Sequence, residues 1–179
     1  MKKTIEIIPL KGVKMDNLDI DLGNDMKSII NILGKPNIQE ENQLYYDRYE
    51  FRLDFDINKK LEFIELQGPN TKYINPAIYG INPFEIEADE LVKLLKEKNG
   101  SNIDDTEAQY SYCFSDISVG IWRQNIPEDF STDHGFECAG GPGSEYEFTE
   151  EEKNIWKTEK NKAKFFWTIG VGNVGYYDI

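Results

Sequence analysis

Gln43-Leu44-Tyr45-Tyr46 and Phe51-Arg52-Leu53-Asp54-Phe55-Asp56 alternate as two half-buried strands, and the pattern returns later in the chain. Sliding the sequence by 66 residues sets Gln43 on Gln109, Leu44 on Tyr110, Tyr46 on Tyr112, Phe51 on Ile117, Leu53 on Val119 and Phe55 on Ile121 without a gap. Each apolar match falls where a pleated strand turns its side chain inward. Phe51, Leu53 and Phe55 share one face, and Arg52, Asp54 and Asp56 the other. Leu61 to Gln67 reads as a third strand, after the turn Asp56-Ile57-Asn58-Lys59-Lys60.

A helix precedes each strand group. Asn24 is placed to cap one from about Asp25, in which Met26, Ile29, Ile30 and Leu33 form a single apolar stripe. Gly34 and Pro36 stop it. The second runs from about Ala88 to Lys98 on Leu91, Leu94 and Leu95 and ends at Asn99-Gly100. The two helices align at an offset nearer 63, so the loops that follow them differ in length. Thr4 to Ile8 reads as a short first strand and Phe165 to Val171 as the last. The expectation is one α+β domain over residues 1–179, made of tandem helix–strand–strand–strand repeats (about 24–67 and about 87–171). Together they would form a curved antiparallel sheet packed on two helices.

The repeats differ in one place. Five residues join the second and third strands of the first unit, whereas an insertion over about 124–163 separates them in the second. Loops beyond about 12–15 residues in compact domains are usually functional or disordered. From Gln124 to Glu152 this insertion holds nine acids and no Lys or Arg: Glu128, Asp129, Asp133, Glu137, Glu145, Glu147, Glu150, Glu151 and Glu152. Ala139-Gly140-Gly141-Pro142-Gly143-Ser144 reads as a turn within it. Thr149 with Glu152 reads as a capping box opening a helix whose later residues are rich in lysine.

The 179 residues carry 20 basic and 33 acidic groups, a net charge of −13, and most of that excess sits in the insertion. Such a balance speaks against a nucleic-acid binder that neutralises phosphates and against an anionic-membrane binder. No run approaches the ~18 apolar residues of a membrane helix. The opening Met1-Lys2-Lys3 leads into a stretch broken by Glu6 and Pro9, unlike a signal peptide. Two cysteines, Cys113 and Cys138, make no disulfide framework, and a cytoplasmic location is expected.

Few residues suggest chemistry. His134 is the single histidine, and His134-x-x-Glu137-Cys138 has no recognised metal-ligand spacing. Cys113 would face away from Tyr112 and Phe114, with nothing nearby to lower its pKa. The glycine-rich turn lacks the lysine of a phosphate loop. No metal, cofactor or catalytic residue is expected. Asp54 and Asp56 could serve an enzyme with an acidic cleft, and a self-associating structural module is a third reading.

The aromatic set points to binding instead. Tyr45, Tyr46, Tyr49, Trp122, Phe165, Phe166, Trp167, Tyr176 and Tyr177 exceed what one side of a small sheet hides. Tyr and Trp exposed beside acids suit a protein-binding hot spot. Trp122 leaves its strand where the insertion begins and is the expected anchor, with Glu128, Asp129, Asp133, Glu137, Glu145 and Glu147 as its acidic companions.

Two resemblances accompany this reading. Asp25 to Pro36, ending Leu33-Gly34-Lys35-Pro36, and the strands over Leu44 to Leu66 resemble one unit of the β-lactamase-inhibitor-protein fold, without the secretion signal or lipidated cysteine of its lipoprotein relatives. Leu91-Val92-Lys93-Leu94-Leu95-Lys96 and Tyr110-Ser111-Tyr112-Cys113-Phe114 through Trp122-Arg123 make the chain similar to small acidic bacterial immunity proteins. The resemblance implies an inhibitor, monomeric or weakly dimeric, that occludes a basic, toxin-like partner.

Overall fold

The computed structural model describes residues 2–16, 18–100, 102–130 and 149–178. In chain order the elements are β1 (Lys3–Ile8), β2 (Gly12–Met15), β3 (Leu18–Asp21), α1 (Met26–Leu33), β4 (Ile38–Gln39), β5 (Gln43–Tyr46), β6 (Phe51–Phe55), β7 (Leu61–Gln67) and β8 (Ile74–Ile78). Then follow α2 (Ala88–Lys98), β9 (Ile103–Asp104), β10 (Ser111–Phe114), β11 (Val119–Trp122), α3 (Glu150–Lys162) and β12 (Thr168–Gly172). The fold is mixed α and β, and rich in strand.

The strands form two sheets rather than the single one expected. The larger has eight strands in the order β4-β5-β6-β7-β12-β11-β10-β9, antiparallel throughout. The smaller has the order β3-β2-β1-β8, with β1 and β8 parallel. β2, β3 and β8 escape sequence reading for physical reasons. Two have only four residues, and β8 carries Pro76, which an edge strand tolerates because the missing N–H faces no neighbour. One hydrophobic core unites both sheets. It joins Ile5, Ile7, Val13, Ile20 and Ile78 of the smaller sheet to Leu44, Leu53, Ile64, Phe114, Val119 and Ile169 of the larger. Ile29 and Leu33 of α1 and Leu91 and Leu95 of α2 complete it.

Local chemistry sets the element ends. α2 has the bounds expected, whereas Asp25 rather than Asn24 occupies the N-cap of α1. The Asn24 side chain accepts from the Asp21 N–H at 3.0 Å, bracing the turn out of β3. At the other end of α1 the Gly34 N–H closes on the Ile30 carbonyl at 2.8 Å, with Gly34 at φ 82°. The Tyr46 hydroxyl donates to the Gly34 carbonyl at 2.9 Å and the Arg48 guanidinium to the Leu33 carbonyl, so the first hairpin holds the helix end.

Two hairpins of the larger sheet turn through a 3-10 segment, Asp47–Tyr49 between β5 and β6 and Ser115–Ile117 between β10 and β11. Each segment closes on a left-handed non-glycine residue, Glu50 at φ 50° and Ser118 at φ 48°. Val119, not Ile117, therefore opens the strand opposite Phe114, and the register drawn from alternation shifts accordingly. The last strand also begins later than expected, at Thr168 rather than Phe165. α3 has the expected capping box, in which the Thr149 hydroxyl accepts from the Glu152 N–H and the Glu152 carboxylate from the Thr149 N–H. None of its side chains is fully buried; Trp156 meets Phe130 edge to face at 5.0 Å.

Both left-handed residues tie their hairpins to distant chain. The Glu50 carboxylate accepts the backbone N–H groups of Lys72 at 2.7 Å and Tyr73 at 3.1 Å at the entrance to β8. The Ser118 hydroxyl donates to the Asn173 carbonyl at 2.7 Å. Glu50→Ala, which keeps the backbone strain but removes the acceptor, is expected to cost about 1–2 kcal/mol in urea unfolding. Glu50→Gln should retain part of that.

Candidate functional site

The face of the larger sheet turned away from the core carries a continuous cross-strand row. Pairing places Arg52 beside Glu65, Glu65 beside Gly170, Gly170 beside Gly120, Gly120 beside Cys113 and Cys113 beside Asp104. Strand alternation creates the row: Ile169, Val171, Val119 and Ile121 point to the core, so Gly170, Gly172 and Gly120 point out. Mid-strand glycine costs about 0.5–1 kcal/mol relative to alanine, so the bare floor needs an occupant to offset it.

The occupant is the segment that follows β12. After β12 the backbone turns back over the sheet. The Asn173 N–H donates to the Glu62 carbonyl at 2.9 Å, and Gly175 at φ 81° turns the chain again. Tyr176 stacks on Phe63 with ring centres 4.6 Å apart, and Tyr177 meets Phe63 edge to face at 6.3 Å. A Cβ at Gly120 would collide with the Tyr177 hydroxyl, one at Gly170 with the Phe63 ring, and one at Gly172 would lie 2.6 Å from the Tyr176 Cβ.

Beyond Tyr177 the floor stays open as a cavity of about 250 Å³, bounded by Arg52, Glu65, Cys113, Trp122, Thr168 and Tyr177 among others. Arg52 Nε lies 3.0 Å from Asp54 and its Nη1 3.2 Å from Glu65. Burial pushes the Glu65 carboxyl above its ordinary value, against the opposing pull of Arg52. Burial also raises the Cys113 thiol, with Asp104 and Glu107 adding to it, and it raises Tyr177 strongly. The thiol and phenol are thus held in their neutral forms.

Trp122 stands at the rim of this cavity. It is 43% exposed and braced edge to face by Trp167 at 6.3 Å. Its neighbour Arg123 points the opposite way and is buried. Arg123 Nε donates to the Gln109 carbonyl at 2.7 Å and Nη1 to the Ala163 carbonyl at 2.6 Å, with the guanidinium 5.2 Å from the Phe166 ring centre. This residue therefore clips the start of the insertion to the end of α3.

The acidic candidates divide. Asp129 is engaged internally: it accepts from the Tyr110 hydroxyl at 2.9 Å and from the Ile126 N–H at 2.8 Å, and that hydroxyl bond raises the Tyr110 pKa. Glu128 is exposed and lines a shallow cavity with Glu87, Asp89 and Arg123. Asp133, Glu137, Glu145 and Glu147, with His134 and Cys138, lie outside the described residues. Asp54 borders the candidate site through Arg52; Asp56 instead accepts the Asn58 and Lys60 N–H groups at 2.8 Å in its turn.

Tyr177 entered the sequence reading only as one of the aromatic set; Glu65 and the three glycines were not singled out, although Ile169-Gly170-Val171-Gly172 carries the signal of a strand bare on one side. Among the described residues no helix is long and apolar enough to cross a membrane, and no group of three or more His, Cys, Asp or Glu could hold a metal ion. The chain matches no protein-family model, no curated protein and no solved structure.

Two predictions follow from this geometry. Gly120→Ala alone should cost about 1–3 kcal/mol by overpacking against Tyr177. In a Tyr177→Ala background the same change should be nearly neutral, a coupling that a urea double-mutant cycle reads directly. The second concerns pH. Folding raises Glu65 above its ordinary value near 4.5, so the folded chain holds that proton more tightly than the unfolded one. The stability this group contributes is present in acid and is lost as pH rises through the raised value. Glu65→Gln does not titrate, so its melting temperature should gain on the parent as pH rises above about 4.5. A flat or narrowing difference would contradict the burial of this carboxyl.

Proposed function

We propose that the chain is a cytoplasmic protein-binding module that captures a basic partner by occlusion, an immunity-type inhibitor working without cofactor or chemistry. The observation that carries this reading is Trp122, exposed on a rigid strand, braced by Trp167 and placed where the acidic insertion leaves the sheet. A pre-ordered indole loses little entropy on contact, which is what a hot-spot anchor requires. The excess of acid over base, concentrated in the insertion, would steer a basic partner toward that anchor. We also read the two helix-and-strand units as a tandem repeat. The sheet order is symmetric about the β7–β12 pair, and both hairpins turn through the same kind of 3-10 segment.

One observation favours a second reading, an enzyme using the outer-face cavity: Glu65 is a raised carboxyl inside it. Glu65 is nonetheless paired with Arg52, and the nearby thiol and phenol are held neutral, so no activated nucleophile adjoins it.

The test is capture on the immobilised chain from a lysate of its host, followed by kinetics on the protein identified. The bound protein should be basic. Its association should slow about tenfold or more between ~10 mM and ~150 mM salt. Trp122→Ala should speed dissociation about tenfold or more. An association rate indifferent to salt would overturn charge-guided capture.

A further inference from the structure

Tyr177 divides what would otherwise be one groove. On one side is the cavity of about 250 Å³ that reaches Trp122 and Thr168. On the other is a wider cleft of about 800 Å³ bounded by Asn102, Asp104, Thr106, Ser115 and Asp178. Tyr177 walls both, and the row beneath it is unbroken, from Gly170 through Gly120 and Cys113 to Asp104. Gly170 lies under the Phe63 ring, whereas Gly120 leaves the backbone of β11 bare beneath Tyr177, so an occupant can lie across β11, β10 and β9.

The segment that fills the middle of this groove is held unevenly. Its start is fixed by the Asn173 N–H on Glu62 at 2.9 Å and by the Ser118 hydroxyl on the Asn173 carbonyl at 2.7 Å. Beyond it the Tyr176 N–H closes on the Asn173 carbonyl at 3.0 Å and the Asp178 N–H on the Gly175 carbonyl at 3.1 Å, both within the segment, so its end is tied to the sheet by ring packing on Phe63 and by the longer bond of the Ser115 hydroxyl to the Tyr177 carbonyl at 3.3 Å. Val174 and Gly175 between them are exposed, and Gly175 is left-handed. Such a segment can lift from Tyr176 onward while Asn173 stays in place.

We infer that Tyr176–Asp178 is a displaceable strap, and that the groove it divides receives an extended segment of the partner bearing arginine or lysine. This rests on the reading above that the partner is basic. Charge favours that occupant. Glu65 and Asp104 line the groove and stay when the strap lifts, and Arg52, the guanidinium in it, is already shared between Asp54 and Glu65. Thr106 holds the Asp104 carboxyl below its ordinary range through its N–H and hydroxyl, so Asp104 stays ionised. At the far end the exposed Trp122 face suits a guanidinium. Trp122 on β11 lies two strand spacings from β9, roughly 10 Å, and two residues along the strand from the row that ends at Asp104, roughly 7 Å, a diagonal of about 12 Å that an extended chain covers in about four residues. The occupant therefore carries one cationic side chain near each end of a pentapeptide.

The probe is a capped pentapeptide, Arg-Gly-Ser-Gly-Arg, with Glu-Gly-Ser-Gly-Glu as its charge-reversed control, offered to the full chain. Tryptophan fluorescence should report binding of the arginine peptide alone. Amide exchange at Asn173 should stay slow while that at Tyr176 and Asp178 accelerates as the strap lifts. Tyr177→Ala should bind the peptide about fivefold more tightly, because the closed strap no longer taxes the open state. Trp122→Ala should lose binding. If Tyr177→Ala folds poorly, amide exchange in the unaltered chain decides the question. Unchanged exchange at Tyr176 and Asp178 with arginine peptide bound, or unchanged affinity in a folded Tyr177→Ala chain, overturns the strap. In those cases a captured basic partner whose association still depends on salt leaves the binding reading standing. A captured partner that is not basic and ignores salt removes that reading, and this one with it.

Discussion

The pairing of β7 with β12 holds the larger sheet together. It sets Phe63 against Gly172 and Ile64 against Val171, residues more than a hundred positions apart in the chain. Without it the sheet falls into two four-stranded pieces. With it, Ile169 and Val171 enter the core and Gly170 and Gly172 are driven to the opposite face. The bare floor, the seat for Tyr176 and Tyr177 and the cavity beside Trp122 all follow from that register. A slip of one residue would bury the glycines and expose the aliphatics.

This pairing also accounts for the tolerance of a long insertion just before β12. The entropy of closing a loop grows only with the logarithm of its length. Once β11 and β12 must meet, a longer connection between Trp122 and Thr168 adds little cost, provided its ends are fixed. Arg123 fixes them by bonding to Gln109 on one side and Ala163 on the other. Its burial as a cation is offset by two backbone carbonyls and by the Phe166 ring.

What was legible from sequence was what depends on neighbours along the chain. Gly34 and Pro36 mark the end of α1, the leucines mark α2, and Thr149 with Glu152 marks the start of α3. Alternation marks β5, β6, β7 and β10, because each has one face in the core. It misleads at Ile117, where a 3-10 turn closes on Ser118 without the glycine that usually signals φ above zero. Asn24 misleads for a related reason: its side chain has two competing partners, and the turn to Asp21 wins over the helix. The smaller sheet was hidden because β1 finds its parallel partner in β8, across the whole first unit. Trp122 was legible as a strand-exit aromatic. The pairing of Arg52 with Glu65 and the stacking of Tyr176 on Phe63 were not, since they appear only when strands distant in sequence are laid side by side.

Strand alternation gives Trp122 and Arg123 their division of labour. Consecutive residues on a strand face opposite ways, so an exposed indole at the strand exit obliges its neighbour to point inward. Here that neighbour is the cation that anchors the insertion, and Trp167, which braces the indole, donates its backbone N–H to the Trp122 carbonyl at 2.7 Å. Force applied to the Trp122 side chain passes directly into the β11–β12 ladder and the Arg123 clip rather than into a loose loop. A surface aromatic on a flexible segment would give up much of its contact energy in becoming ordered; this one is ordered beforehand by the strands and the clip. On the proposed reading, charge and shape would act at different ranges. The acids would draw a basic surface inward over about a Debye length, and the rigid indole and the bare glycine backbone would act only on contact, where packing sets the lifetime of a complex.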